Sequence, residues 1–486
     1  MAHSLESGAY FSQLKAKGRI VVSDAPKFDL ESYIANYEGR ARLRRLLLIG
    51  TICPPLSLEA LHLAVTEAKR GKDVDQYLQM VERLNEIDGH DLLGVLDTTW
   101  VQKRNALNAN ETGKLESELK GYKNNLIKES IRMGNEELAT HYFNIGALDH
   151  AIKAYSAMRD HCNTPKHVSE MYLKLVLVYI AQGNWLSAKS QLDRMRVLNL
   201  KLEEKARLDP TIHACSGLTS MCNSQYRDAA NEFLQVDPSF MTEGPIANID
   251  VKKAVLTSND IAVYGGLCAL ASMYRSELQA QVLDNPLFRQ FLELEPHIRR
   301  AITFFCASKF TQCLAILDAY RTDYTLDLYL FDRIGDIYAR IRAKSIQQYF
   351  IPFSCVTLRE MEKEFGTRDG QTIEDELIDM IQRGELDARI DVVEKVSPTE
   401  PNQCFPPPSP KCPRASADRR PRLQLLVAPL VNTRAALHTQ AIAAAKEHEK
   451  SLRLRLHRNN MILAGLVLET PKGSTFKGAG GRGVFS

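Results

Sequence analysis

The chain has no Cys-x-x-Cys pair, although it carries ten cysteines. Its closest pairs, Cys215 with Cys222, Cys306 with Cys313 and Cys404 with Cys412, show no ligand or disulfide spacing. A gap of seven fits two helical turns, so these thiols read as reduced, small core residues. The front of the chain, Met1 to Ile20, lacks an apolar stretch of the secretory type. Leu46 to Ile49 is far too short to span a bilayer. These absences predict residence in cytoplasm and nucleus, with no membrane partner. On that footing the Asn110-Glu111-Thr112 sequon is a coincidence.

Catalytic signatures are missing as well. There is no phosphate loop of the Gly-x-x-x-x-Gly-Lys-Ser/Thr kind, no Gly-x-Ser-x-Gly elbow, no His-Glu-x-x-His and no His-x-His. Gly478-Ala479-Gly480-Gly481-Arg482-Gly483 matches the dinucleotide fingerprint by letter. Its position, without a strand before it or a helix after it, removes the helix N-terminus that such a loop needs. His161-Cys162 stands alone, and His438, His448 and His457 are spaced by ten and nine, which does not gather ligands on one helix face. No nucleophile, base and orienting group come together. The expectation is a protein that is not an enzyme and holds no cofactor or metal.

Charge of one sign is scarce overall: the net charge is +3 in 486 residues. It is unevenly distributed, however. Residues 401–486 hold fourteen Lys and Arg against four Asp and Glu, so a +10 tail follows a body of −7. A basic end on a mildly acidic body reads as a partner-binding or solubilising tail. Hydrophobic residues form 44% of the chain, enough to fold, and the length suits several domains or a solenoid.

Helical periodicity dominates what is present. After a lead-in over 1–27, the pattern is helical from Phe28 to about Leu107. Arg40, Arg42, Arg44 and Arg45 precede Leu46–Ile49 and read as a solvated face beside a core stripe. Pro54-Pro55 breaks the chain, and Ser57 is placed to cap a helix carrying Leu58, Leu61, Val65 and Ala68. From 115 to about 320 a pattern recurs. Gly146, Gly183, Ser224 and Ser308 are each followed five residues later by a small residue (Ala151, Ala188, Ala229, Cys313). Four residues further on comes a large one (Tyr155, Leu192, Phe233, Leu317). A corner residue permits reversal, the small residue lets helices approach, and the large one fills the groove beside it. The spacing, near that of tetratricopeptide repeats but irregular, predicts a solenoid of divergent helix pairs.

The punctuation then changes. A helix is predicted over Tyr329–Tyr349, a short extended piece over Phe353–Val356, and helices beginning at Thr357 and spanning Thr372–Arg383. Leu386 to Asp391 alternates at period two and reads as a strand. This order is that of a winged helix. Glu374, Asp375, Glu376 and Asp379 on the second of these helices would repel phosphates, which disfavours nucleic acid as a partner. Seven prolines between Pro398 and Pro413, then Arg419-Arg420-Pro421-Arg422, predict no packed element over 397–430. The stretch is either a linker or translated intron sequence. A last helix is predicted from about Arg434 to Leu466, with Ala441, Ala445, Leu452, Leu456 and Leu463 on one face.

Three segments carry a resemblance. Tyr264-Gly265-Gly266-Leu267-Cys268-Ala269-Leu270-Ala271, then Phe291-Leu292-Glu293-Leu294-Glu295-Pro296, then the winged helix through Ala388-Arg389-Ile390-Asp391, resemble a PCI domain. That module is shared by the proteasome lid, the COP-nine signalosome and translation initiation factor three. Phe28 to Arg40 is similar to the first-subunit branch of the signalosome, with the equivalent lid branch as the rival. The resemblance implies an all-α solenoid of tetratricopeptide-like helix pairs, then a winged-helix PCI module and a C-terminal helix. It implies a scaffold role in a complex that removes the ubiquitin-like modifier Nedd8 from cullin-RING ubiquitin ligases. The partners implied are other PCI subunits and the subunits that contain the metalloprotease, with cullin-RING ligases as the substrate of the whole. Docking is implied at Leu386, Ala388, Arg389, Ile390 and Asp391 of the hairpin, and at Leu452, Leu456 and Leu463 of the last helix. The domain boundaries expected are 28–110 for the N-terminal helices, 111–259 for the solenoid, 260–395 for the PCI domain with its winged helix at about 330–395, 396–430 for the linker, 431–468 for the last helix and 469–486 for the tail.

Overall fold

Acidic and hydroxyl side chains at helix starts set the beginning of the fold. In the computed structural model, which describes residues 10–353, 355–366, 372–392, 423–426 and 433–463, Asp29 accepts from the Ser32 amide and starts helix Leu30–Ala35. Asp73 and Asp97 do the same for Val74–Ile87 and Thr98–Asn124. Ser57 takes a different role from the cap expected of it. It is already inside helix Ser57–Arg70, and its buried hydroxyl donates to the Gly50 carbonyl at 2.7 Å, tying this helix to Gly39–Ile52. Leu46, Ile49, Leu61, Val65, Tyr77 and Leu84 of these N-terminal helices share one core.

By contact density the chain forms two units, Met1–Phe353 with Leu358–Met380, and Ser354–Thr357 with Ile381–Ser486. The first is a succession of helix pairs. Lys128–Ile145 turns into Leu148–Ala157, Pro165–Gln182 into Trp185–Arg196, Leu202–Cys222 into Tyr226–Leu234, and Pro296–Cys306 into Phe310–Ala319. The four corner residues of the sequence pattern all have left-handed backbones: φ is 96° at Gly146, 81° at Gly183, 60° at Ser224 and 59° at Ser308. Ala151, Ala188, Ala229 and Cys313 are fully buried at the helix crossings, and Tyr155, Leu192, Phe233 and Leu317 are buried beside them. The repeat therefore has the physical cause that its spacing suggests.

Helix Ser258–Ser272 lies at the centre of this unit. A capping box starts it, Thr257 accepting from the Asp260 amide and Asp260 accepting from the Thr257 amide. A Cβ on Gly265 would meet the Phe288 ring at 2.8 Å, and one on Gly266 would meet Ile298 at 2.3 Å. Two neighbouring helices, Pro286–Leu294 and Pro296–Cys306, thus approach the backbone of this one directly. The long helix expected from Tyr329 begins at Ile334 instead. The Asp327 carboxylate accepts from the Tyr329 and Leu330 amides at 3.0 and 3.1 Å and holds a turn there. Helices Leu358–Phe365 and Ile373–Gln382 follow, the second preceded by a reciprocal Thr372–Asp375 pair.

The second unit contains a three-stranded antiparallel sheet of β1 (Cys355–Thr357), β2 (Arg389–Val392) and β3 (Leu423–Leu426), in the order β1-β3-β2. Val356 pairs with Leu425, and Leu425 with Ile390. Here the expectation that 397–430 holds no packed element is overturned. The central strand of the sheet comes from the end of that stretch, from the proline-free run between Pro421 and Pro429. Val392 pairs with Leu423, so residues 393–422 join two strand ends that already face each other. The strand expected from Leu386 starts three residues later. Helix Thr433–Leu463 closes the unit. The expected end of that helix at Leu466, the tail 469–486 and the Gly478–Gly483 motif lie outside the described residues. In chain order, helix, strand, two helices and two strands complete the winged-helix plan on an otherwise helical protein.

Candidate functional site

Of the Arg40–Arg45 cluster, read from sequence as a solvated face, Arg45 is turned fully inward while Arg40, Arg42 and Arg44 are half-buried. Arg45 is fully buried and its Nη1 donates to Asp327 at 3.0 Å, with Asp260 3.6 Å away. Its guanidinium sits 3.9 Å from the centre of the Tyr37 ring and 5.3 Å from that of Tyr329. The Tyr37 hydroxyl donates to Asp260 and the Tyr264 hydroxyl to Asp327 at 2.7 Å. Burial pushes the Asp260 carboxyl up from its ordinary range, with Arg45 opposing and the Asp327 charge adding to the rise. This network links the N-terminal helices to the capping box of Ser258–Ser272 and to the turn before Ile334. Its job is positional: it fixes three segments distant in sequence by paired buried charge, although Arg45 Nε and Nη2 make no hydrogen bond there.

Arg40 and Arg44 line a cavity of about 460 Å³ with Phe143, Tyr155, Lys174 and Ile249. Arg40 Nε donates to the Phe143 carbonyl at 3.0 Å, and Arg40 also pairs with Asp73. Arg44 donates to the Ala181 carbonyl at 3.1 Å. Both carbonyls belong to the last turns of helices, where cations are favourable. Lys174 pairs with Glu136. The cations around this space are therefore engaged with the fold itself.

Surfaces suited to docking lie elsewhere. Among the described residues β2 is at one edge of the sheet and β1 at the other. An edge strand offers unpaired amides and carbonyls to an incoming chain. Leu386 and Ala388, expected as docking side chains, are buried, so they serve the interior of the fold. Ile390 is half-buried, while the side chains of Arg389 and Asp391 lie outside the described part of the structure. On helix Thr433–Leu463 the placement is plain: Leu452 is 51% exposed and Leu456 65%, with Ile442 and Leu454 also exposed. The Leu463 side chain is outside the described part. Four large apolar side chains thus face solvent on one helix of 31 residues.

Among the described residues no three His, Cys, Asp or Glu side chains converge as metal ligands. Cys53, Cys215, Cys222, Cys268 and Cys313 are free thiols inside the core, and burial alone pushes Cys215 up to about 12. No single helix among the described residues is long and apolar enough to cross a membrane. Sequence reading missed the Arg45 network. Its acids lie more than 200 positions from its arginine, and no local pattern marks them.

Comparison with known proteins agrees with this architecture. The family profile for 26S proteasome subunit RPN7 matches residues 97–281, and that for the PCI domain matches residues 317–396. COP9 signalosome complex subunit 1 of Emericella nidulans is 52% identical over 385 residues, 77% of this chain and 76% of its own length. The subunit 1 protein of Arabidopsis thaliana is 35% identical over 385 residues, 78% and 83% of the two chains. The 26S proteasome non-ATPase regulatory subunit 6 of Caenorhabditis elegans is 22% identical over 316 residues, 62% and 72%. With a helical-pair solenoid, a PCI module and this depth of identity over most of both lengths, the chain belongs to the COP9 signalosome complex subunit 1 family.

Proposed function

We propose that the chain is a non-catalytic scaffold that joins other PCI subunits and the metalloprotease-containing subunits of a signalosome acting on cullin-RING ligases in cytoplasm and nucleus. The observation that carries this reading is the C-terminal helix, whose leucines at 452, 454 and 456 stand in solvent next to an open-edged sheet in the sequence. Fully burying a leucine is worth about 1.5–3 kcal/mol, so such a helix is stabilised by entering a bundle. The strand edges supply main-chain hydrogen bonds to neighbouring subunits. The scaffold contributes shape and adhesion, and the bond cleavage belongs to another subunit. A proteasome-lid role has the weaker support of the RPN7 profile over residues 97–281 and the 22% identity to the regulatory subunit 6 protein.

Removing the gene and returning either the full chain or a version ending at residue 432 tests the reading. The full chain is expected to restore low levels of Nedd8-modified cullin, and the shortened one is expected to leave them high. Equal restoration by both would contradict the role given to the last helix. Unchanged cullin modification after gene loss would contradict the signalosome assignment.

A further inference from the structure

An open groove of about 780 Å³ runs along the outer face of helix Trp185–Arg196. The inner face of this helix is fully committed, with Ala188, Gln191, Leu192 and Met195 buried. The outer face carries Leu186, Lys189, Arg194 and Val197, and Tyr172 and Arg159 from neighbouring elements complete the groove. Two features stand together there. Leu186 is 74% exposed and Val197 82%, among the most exposed large apolar side chains of the described residues. Eleven residues separate them, about 16 Å along a helix. Between and beside them lie three cations, Arg159, Lys189 and Arg194, against one lining acid, Asp193. Lys189 donates only to the Gln225 side-chain amide at 2.9 Å, and Arg194 approaches Gln191 at 3.5 Å. None of the three has a carboxylate partner among the described residues, whereas Arg40, Arg45, Arg132 and Lys174 are all paired.

We propose that this groove is a docking site for an acidic peptide segment of another protein, one that carries two bulky apolar side chains about 16 Å apart with carboxylates between them. Charge complementarity selects the occupant: unpaired cations on a body whose first 400 residues carry −7 are a local exception to the field around them. The apolar anchors select a peptide over a polyanion. A nucleic acid or phosphate surface would use the cations but leave Leu186 and Val197 in water. An extended segment of about five residues, or a helix of three turns, spans the distance between the anchors.

The test places a photo-crosslinking benzoylphenylalanine at Val197 in the full-length chain, expressed in its own cells within its native assembly, and maps the adducts by mass spectrometry. The expected result is one dominant adduct whose crosslinked segment is net negative and holds apolar residues. The double substitution Lys189→Glu with Arg194→Glu is expected to lower its yield at least tenfold, and Leu186→Ser at least threefold. These side chains are on the surface, so the melting temperature of each variant is expected to match the parent. No adduct above that of the same probe at the exposed Glu203, an adduct to nucleic acid, a segment without net negative charge, or a yield indifferent to charge reversal would each overturn the proposal.

Discussion

Arg45 carries a charge where no solvent reaches it, and its two carboxylate partners are buried as well. Removing one member of such a group leaves the others buried and uncompensated. Arg45→Ala is expected to lower stability by about 3–5 kcal/mol, read as a shift in the urea midpoint. Arg45→Met, which keeps the volume, is expected to remain less stable than the parent, because Asp260 and Asp327 then face each other without the cation. A second residue-scale test concerns His297. Its ring stacks on Tyr320 with centres 3.9 Å apart and it is hydrogen-bonded to the Tyr324 hydroxyl at 2.6 Å. Burial, helped by Lys27 and Arg300, brings its pKa down from 6.5 to about 4. Between these values the unfolded chain binds the proton and the folded chain does not. Stability is therefore expected to fall as pH drops from 6.5 to 4, and His297→Gln to flatten that slope in pH-dependent melting. Neither residue was legible in the sequence. An arginine in a run of four is charged and, on average, solvated; only the distant partners reverse that reading.

At the scale of elements, legibility depends on whether a signal is local. The helix-pair corners were readable because turn residue, small residue and large residue lie within ten positions of one another. The structure gives each its cause, a left-handed φ, a close crossing and a filled groove. The Gly265-Gly266 pair was readable as a motif, but its cause required the neighbours Phe288 and Ile298. Gly266→Ala is expected to destabilise by about 1–3 kcal/mol in chemical denaturation, although alanine favours an isolated helix, because the added methyl overlaps Ile298. Strand β3 was not readable. Leu-Gln-Leu-Leu has no clean alternation and follows a proline-rich run, and it is a strand only because β1 and β2 flank it. Since Val392 and Leu423 are direct partners, an Asn-Gly turn suffices to join them. Replacing 393–422 by Asn-Gly is expected to leave the melting temperature and helical circular dichroism of the chain unchanged. A cooperative loss of structure would show that the segment holds the sheet together.

Over the whole molecule, two kinds of surface coexist. The helix-pair unit spends its buried charge on holding distant segments in place, through Arg45 with Asp260 and Asp327 and through Arg40 with Asp73. Among the described residues, the sheet-and-helix unit leaves strand edges unpaired and leucines exposed. Buried charge in one unit and open strand edges in the other both suit the scaffold role proposed above. The broad plan was available from the sequence: periodicity gave the solenoid, the order of elements gave the winged helix, and family-specific segments gave the kinship. Which side chains of the hairpin point outward was not available, because a strand's facing depends on its register. The most direct measurement is to tag the chain in its own cells, isolate it gently and identify the co-purifying proteins by mass spectrometry. The account predicts other PCI subunits, a metalloprotease subunit and cullins; recovery of proteasome base and core particles in their place would contradict it.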